Sequence, residues 1–143
     1  MIATMKILSA AQMRELDRLT TVLHGVPSLL LMENAATRTV EVIEKKFGDV
    51  NNKRVLVVCG RGNNGGDGAA IARLIREKGA LVVVCLLGRH SETRGDALAN
   101  FERLKAVAEG ERSRLRFLEI ETPEALQEAA RVVKHDLIVD AIF

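Results

Sequence analysis

Four short runs of mainly apolar residues occur after the first third of the chain. The runs at residues 55–59 and 81–87 contain no charged or amide side chain, which is typical of strands buried on both faces of a sheet. The run at 115–120 partly alternates apolar and polar residues, as expected of an edge strand, and 137–141 is again mainly apolar. The pattern therefore predicts four strands.

The remaining sequence carries the periodicity and the end signals of helices. Ser9 and Gln12 form a capping box, which predicts a helix that runs to about Leu23. Thr122 and Pro123 supply an N-cap and a first-turn proline for another helix. Three more helices are predicted at residues 28–47, 69–78 and 93–109. Strands that alternate with helices indicate an α/β protein with a parallel sheet.

A glycine-rich segment lies between the strand at 55–59 and the helix predicted at 69–78. Residues 60–68 have the sequence Gly-Arg-Gly-Asn-Asn-Gly-Gly-Asp-Gly. A strand that ends in such a turn and opens a helix presents backbone N–H groups to an anion. Glycine also permits positive φ angles and the close approach of a ligand to the backbone. The segment therefore predicts a site for a phosphate-bearing small molecule.

The general nucleotide motifs fit this segment only in part. Gly60, Gly62 and Gly65 satisfy the spacing of the dinucleotide fingerprint. The acidic residue which that fingerprint requires after the second strand is absent, since the strand is followed by Gly88 and Arg89. No Lys-Ser or Lys-Thr pair follows the glycines, so the segment is not a Walker A loop. The longer string with Asn-Asn and Asp among the glycines is more specific.

Three segments of the chain resemble motifs of one known family, and they occur in the same order as in that family. Residues 63–68 (Asn-Asn-Gly-Gly-Asp-Gly), 31–36 (Leu-Met-Glu-Asn-Ala-Ala) and 136–143 (Asp-Leu-Ile-Val-Asp-Ala-Ile-Phe) are similar to motifs of the N-terminal-type YjeF domain, the NAD(P)H-hydrate epimerase family. The resemblance implies an isomerase that interconverts the R and S epimers of hydrated NADH and NADPH, so that a dehydratase can repair the S form.

The resemblance also carries over site residues. The substrate-binding set that it implies is Asn63, Asn64, Gly65, Gly66 and Asp67. It implies a potassium ion held by Asn64 and Asp140, and such a cation takes carboxylate, amide and carbonyl oxygens as ligands. The family's catalytic carboxylate lies in a segment resembling Asp-Ile-Pro-Ser-Gly, which has no counterpart in residues 1–143. The catalytic residue of this chain is therefore not identified, and we expect it beyond Phe143.

The crossover rule and the resemblance together predict the architecture. We expect residues 1–143 to form one domain, a three-layer αβα Rossmann-like sandwich with a mostly parallel sheet. The predicted strand order is 115–120, 81–87, 55–59, 137–141. Ligands bind at the carboxyl ends of strands where the order switches, which lies between 55–59 and 137–141. This topology predicts that Asn63, Asn64 and Asp67 lie close to Asp140.

Composition excludes several other functions. Aromatic residues make up 3% of the chain and the net charge is only +2, so we expect no nucleic-acid binding. No apolar run approaches the length of about 20 residues that a membrane helix needs, and we predict a cytoplasmic protein without membrane contact. Cys59 and Cys85 lie in predicted strands and are expected to be buried free thiols.

Several interpretations stay open at this point. Asp140 could be a turn cap or a salt-bridge partner, and Asp67 could be a plain N-cap. Asn34 could face the site or lie on a surface helix face, and Arg89 could meet a ribose phosphate or be solvated. For the whole protein, the alternatives to an epimerase are a non-catalytic scaffold or RNA-processing interaction domain of the same fold, and an ordinary NAD-dependent oxidoreductase.

The resemblance finally implies partners and a longer chain. We expect a homodimer and an ADP- or ATP-dependent dehydratase that is fused to this domain or separate from it. The family's domain is normally longer, with a Gly-Thr-Gly loop after the strand that corresponds to residues 137–141. Residues 137–141 would leave an apolar edge strand, so Phe143 is expected not to be a natural C-terminus.

Overall fold

The computed structural model describes residues 7–110, 113–132 and 134–143. Two compact units are present, Met1–Leu31 and Met32–Phe143. The first unit contains helix α1 (Ala10–His24) and the beginning of helix α2 (Ser28–Phe47). The N-terminus of α1 has the predicted capping box, in which the side chains of Ser9 and Gln12 each accept a hydrogen bond from the other residue's backbone N–H.

The second unit contains the sheet. Its elements after α2 are β1 (Arg54–Cys59), α3 (Asn63–Glu77), β2 (Leu81–Leu87), a 3₁₀ turn (His90–Glu92), α4 (Gly95–Ala108), β3 (Leu115–Ile120), α5 (Pro123–Val132) and β4 (Leu137–Ala141). All four strands are parallel, in the order β3-β2-β1-β4. The predicted strand positions and order are confirmed, and the α/β class with them.

Each face of the sheet has its own hydrophobic core. The larger core joins one face to residues of α2, α3 and α4, including Ala36, Val40, Ile75 and Phe101. The smaller core joins the other face to α5 and includes Leu56, Cys85 and Ile120. Helices therefore cover both faces, which is the three-layer arrangement that the sequence predicts.

The two cysteines lie on opposite faces of the sheet. Cys59 belongs to the larger core and Cys85 to the smaller one, because β1 and β2 alternate their side chains between the faces. Both thiols are free and buried, as predicted. Burial raises the pKa of the Cys59 thiol to about 12, with a smaller contribution from Cys85.

The glycine-rich segment is mostly helical, which corrects the sequence prediction. α3 begins at Asn63 rather than at Ala69, and the glycines within it do not have positive φ angles. They are needed for close packing instead. A Cβ atom on Gly65 would lie 1.8 Å from the carbonyl oxygen of Gly60, and one on Gly68 would lie 2.6 Å from the Cβ of Ala141.

A salt bridge joins β1 to β4 at the amino edge of the sheet. Asp136 accepts hydrogen bonds from the backbone N–H of Arg54 at 2.9 Å and from its guanidinium at 2.6 Å. The Arg54 side chain holds the pKa of the Asp136 carboxyl well below its usual range. The pair lies one residue before the first pairing of the two strands, Val55 with Leu137, so it helps to fix their register.

We expect Gly65→Ala to destabilise the protein, because its methyl group would overlap the carbonyl oxygen of Gly60. Overpacking of this kind costs about 1–3 kcal/mol of unfolding free energy, measurable by urea denaturation followed by circular dichroism. Gly110→Ala is the matched control, since a Cβ there meets nothing within 4 Å. Equal stability of the two variants would contradict the packing role of Gly65.

Candidate functional site

The start of α3 meets the carboxyl ends of β1 and β4. The backbone N–H of Gly60 donates to the carbonyl oxygen of Ala141 at 2.9 Å, so the two strands stay paired up to the turn. Gly62 is the N-cap of α3 and supplies no side-chain cap. The backbone N–H groups in the first turn of a helix have no partner inside the helix. In α3 this turn begins with Asn63, which is exposed. This corner offers hydrogen-bond donors to an anionic group.

Asn64 and Asp140 both hold the segment that follows β4. The amide Nδ2 of Asn64 donates to the carbonyl oxygen of Phe143 at 2.5 Å. Asp140 Oδ1 accepts from the backbone N–H of Ile142 at 3.1 Å, which is the turn-capping interpretation left open by the sequence. The structure thus brings both predicted cation ligands to one short segment, and the amide oxygen of Asn64 remains available as a ligand.

The other members of the predicted binding set differ in accessibility. Gly65 and Gly66 are buried, Asp67 is half-buried, and Asn63 is exposed. Asp67 lies inside α3, and Gly62 is the N-cap, so the N-cap interpretation of Asp67 is wrong. Contact of these residues with a dinucleotide stays a prediction.

A buried contact behind the first turn of α3 was not predicted from the sequence. A Cβ atom on Gly66 would lie 2.8 Å from the Cα of Ala97 in α4 and 2.9 Å from the Sδ of Met32 in α2. Asn100 donates from Nδ2 to the same sulfur at 3.0 Å, and its Oδ1 has no hydrogen-bond partner among the residues that the structure describes. Residues of α2 and α4 therefore press directly on the turn that carries Asn63 and Asn64.

Glu33 supports α3 through charge rather than facing the site. Its carboxylate forms an ion pair with Arg73 of α3, and the Arg103 guanidinium of α4 lies 4.0 Å from its second oxygen. The side chain of Arg73 is only 16% exposed, so water screens this pair less than a surface pair. Asn34, the neighbouring polar residue, is exposed. No local sequence signal relates positions 33 and 73.

Paired charges line a second cleft at the carboxyl ends of β2 and β3. The cleft has a volume of about 610 Å³. In it Arg89 Nε donates to Glu121 at 2.6 Å and Arg61 donates to Glu92 at 3.3 Å. The sequence shows no acid directly after β2, but these glutamates reach its end from the 3₁₀ turn and from beyond β3. Arg89 is exposed, as its solvated interpretation predicts, and it is also ion-paired.

In residues 7–110, 113–132 and 134–143, no three His, Cys, Asp or Glu side chains are grouped so that they could hold a metal ion. No helix in this part of the chain combines the length and the apolar character that crossing a bilayer requires.

Comparison with known proteins identifies the family. The profile of the family described as "YjeF-related protein N-terminus" matches residues 28–143. The chain belongs to this family. The three motifs on which the resemblance was based all fall within the matched range, so the YjeF-type interpretation of the glycine-rich segment is confirmed.

Relatives of this YjeF-related domain carry informative names. The bifunctional NAD(P)H-hydrate repair enzyme Nnr of Moorella thermoacetica is 43% identical over 97% of this chain and 26% of its own length. The NAD(P)H-hydrate epimerase of Rhodobacter capsulatus is 33% identical over 96% of this chain and 61% of its own length. The chain thus spans about a quarter of the first protein and three fifths of the second.

A solved structure supports the fold. The crystal structure of the yeast protein ynu0 superposes with a TM-score of 0.75 at 27% sequence identity. It covers 97% of this chain, which itself spans 57% of the yeast chain. The YjeF-related domain described above therefore has the Rossmann-like fold of a solved relative.

Replacement of Asn64 by Ala should loosen the segment after β4. The lost hydrogen bond to Phe143 contributes about 0.5–1.5 kcal/mol in a typical case. We expect faster amide hydrogen exchange at Ile142 and Phe143 in the variant, with the rest of the sheet unchanged. Asn34→Ala, the same change at an exposed position of α2, is the control. Unaltered exchange at both residues would show that Asn64 does not hold this segment.

Proposed function

We propose that this chain is the part of an NAD(P)H-hydrate epimerase that binds the dinucleotide. The start of α3, without a side-chain cap, stands at the carboxyl ends of β1 and β4, where open α/β sheets bind their ligands. The names of the relatives give the proposal its chemistry, since several are NAD(P)H-hydrate epimerases or repair enzymes. The substrate would be hydrated NADH or NADPH, and the reaction an isomerisation.

In this proposal the residues of the first turn position the dinucleotide. Asn63, Asn64 and Asp67 present amide and carboxylate groups, while the buried Gly65 and Gly66 let the turn sit close to the strand ends. The positive end of the helix dipole favours an anionic group by roughly 0.3–1 kcal/mol. Binding of this kind fixes the hydrated ring but does not itself invert a carbon atom.

A potassium ion fits the donor set at the end of β4. Asn64 can offer its amide oxygen and Asp140 a carboxylate oxygen, and backbone carbonyls of the segment 142–143 lie at the same corner. Hard cations take such oxygen ligands. The ion would supply positive charge that ties the start of α3 to the end of β4. Potassium is carried over from the family, and the donor chemistry is what supports it here.

Inversion of the hydrated carbon also needs an acid or base beside the ring. We infer that this group comes from the family's Asp-Ile-Pro-Ser-Gly segment, which residues 1–143 do not contain. The curated relatives are longer than the matched region, which leaves room for such a segment. A dehydratase would consume the S epimer, as the bifunctional names suggest, and a homodimer is proposed on the family resemblance. The predicted cytoplasmic location stays a prediction.

The binding role can be tested by calorimetry with hydrated NADH in potassium and in sodium buffers. We expect the affinity of the wild type to fall in sodium, and Asp140→Ala to bind at least tenfold more weakly in potassium. Asp140→Ala should also lose the difference between the two salts, because the side chain then offers no oxygen to the cation. Asp17→Ala, the same change at an exposed position of α1, is the matched control. A salt effect that persists in Asp140→Ala would rule out the proposed ligand.

Catalysis is tested separately, with the full-length protein of which this chain is proposed to be a part. Incubated with the pure R epimer of hydrated NADPH, it should form the S epimer until the two reach equilibrium, as followed by chromatographic separation. Asn64→Ala should lower kcat/KM at least tenfold, because the first turn positions the substrate. Binding without any interconversion would favour the scaffold alternative, and reduction or oxidation of the ring would favour an oxidoreductase.

A further inference from the structure

The α5 side of the sheet is incompletely covered near the amino ends of the strands. α5 contributes Ala125, Leu126 and Ala129 to the core on this side. Leu81, the first residue of β2, is not part of that core and is 43% exposed. Val83, two residues along the same strand, is half-buried. An apolar stripe of β2 is therefore accessible beyond the helix.

Cations stand on both sides of this stripe. Arg54 of β1 is the register partner of Leu81, and Arg116 of β3 is the register partner of Val83. Neighbouring strands of a sheet lie about 4.7–4.9 Å apart, so register partners on one face are direct neighbours. The strand register therefore places Arg54 and Arg116 on either side of Leu81 and Val83.

The stripe is the floor of a cleft of about 150 Å³ at the amino edge of the sheet. We define this amino-edge cleft by its apolar floor and its cationic rim, which are Leu81, Val83, Arg54, Arg114, Arg116 and Lys134. An apolar cavity of about 150 Å³ accommodates a benzene ring. The space is therefore suited to one ring or a short hydrocarbon group.

Most of the rim charge is not neutralised. Arg54 is paired with Asp136. Arg114 donates only to neutral acceptors, Asn52 Oδ1 at 2.8 Å and the carbonyl oxygen of Gly79 at 2.7 Å. None of the ion pairs among the residues that the structure describes involves Arg116 or Lys134. An anionic group at the rim would therefore meet three positive charges, those of Arg114, Arg116 and Lys134, that are not paired with a carboxylate of the described residues.

We propose that the amino-edge cleft is a second binding site, for a small organic anion with an apolar body, such as an aryl carboxylate, sulfonate or phosphate ester. The apolar body lies on Leu81 and Val83, and the anionic group lies between Arg116 and Lys134. The six residues of β1 span about 20 Å, which separates the cleft from the corner at Asn64. The two sites can therefore be occupied independently.

Calorimetric titration of the full chain with benzenesulfonate, an aryl anion with a single ring, tests this site. We expect saturable binding of one molecule, and binding at least tenfold weaker for benzenesulfonamide, which has the same ring but is neutral at pH 7. Arg116→Gln should weaken sulfonate binding at least fivefold. Arg38→Gln, the same charge change on an exposed arginine of α2, should leave it unchanged. If Arg116→Gln does not fold, Lys134→Gln carries the same expectation.

The position of the bound anion is checked by amide chemical shifts in a nitrogen-15 spectrum. The largest changes should fall at Leu81–Val83 and at Arg116. Changes centred on residues 60–68 would overturn the proposal, because they would place the anion at the candidate site. Equal affinity for the neutral compound, or equal loss of affinity in Arg116→Gln and Arg38→Gln, would overturn it as well.

Discussion

The architecture of the site depends on how closely α3 approaches the strands beneath it. Side chains at two helical positions would collide with the turn after β1 and with the end of β4, and glycine at 65 and 68 removes the collision. The helix can then begin soon after β1 ends, so the connection is only residues 60–62. A longer or more distant start would move Asn64 away from the segment after β4, and the proposed cation ligands would separate.

The opposite side of α3 is supported equally closely. Met32 and Ala97 fill the space over Gly66, and the ion pair between Glu33 and Arg73 attaches α2 to the same helix further along. The first turn of α3 is thus held between the sheet and two helices. A turn held on all these sides keeps its donors in place before a ligand arrives, which lowers the ordering cost of binding.

Much of the fold follows from local sequence pattern, and the parts that do not have clear physical reasons. The strands at 55–59 and 81–87 were predictable because strands buried on both faces require unbroken apolar runs. The start of α3 was not, because Asn and Gly are poor helix formers and only tertiary packing makes them helical. The corner at Asn64 and Asp140 followed from the crossover rule together with the family resemblance. The pairs Glu33–Arg73 and Arg89–Glu121, in contrast, join residues 40 and 32 positions apart without any local signal.

The placement of the two cysteines has a consequence for the chemistry of the folded chain. Cys59 and Cys85 face different layers, so no disulfide can form between them while the sheet is intact. With the pKa of Cys59 raised to about 12, almost none of its thiol is in the reactive thiolate form at neutral pH. An alkylating reagent will modify Cys59 only when the sheet opens. The rate of Cys59 labelling therefore measures how often the core under α3 opens transiently. The labelling rate of Cys85 measures the opening of the core on the other face of the sheet.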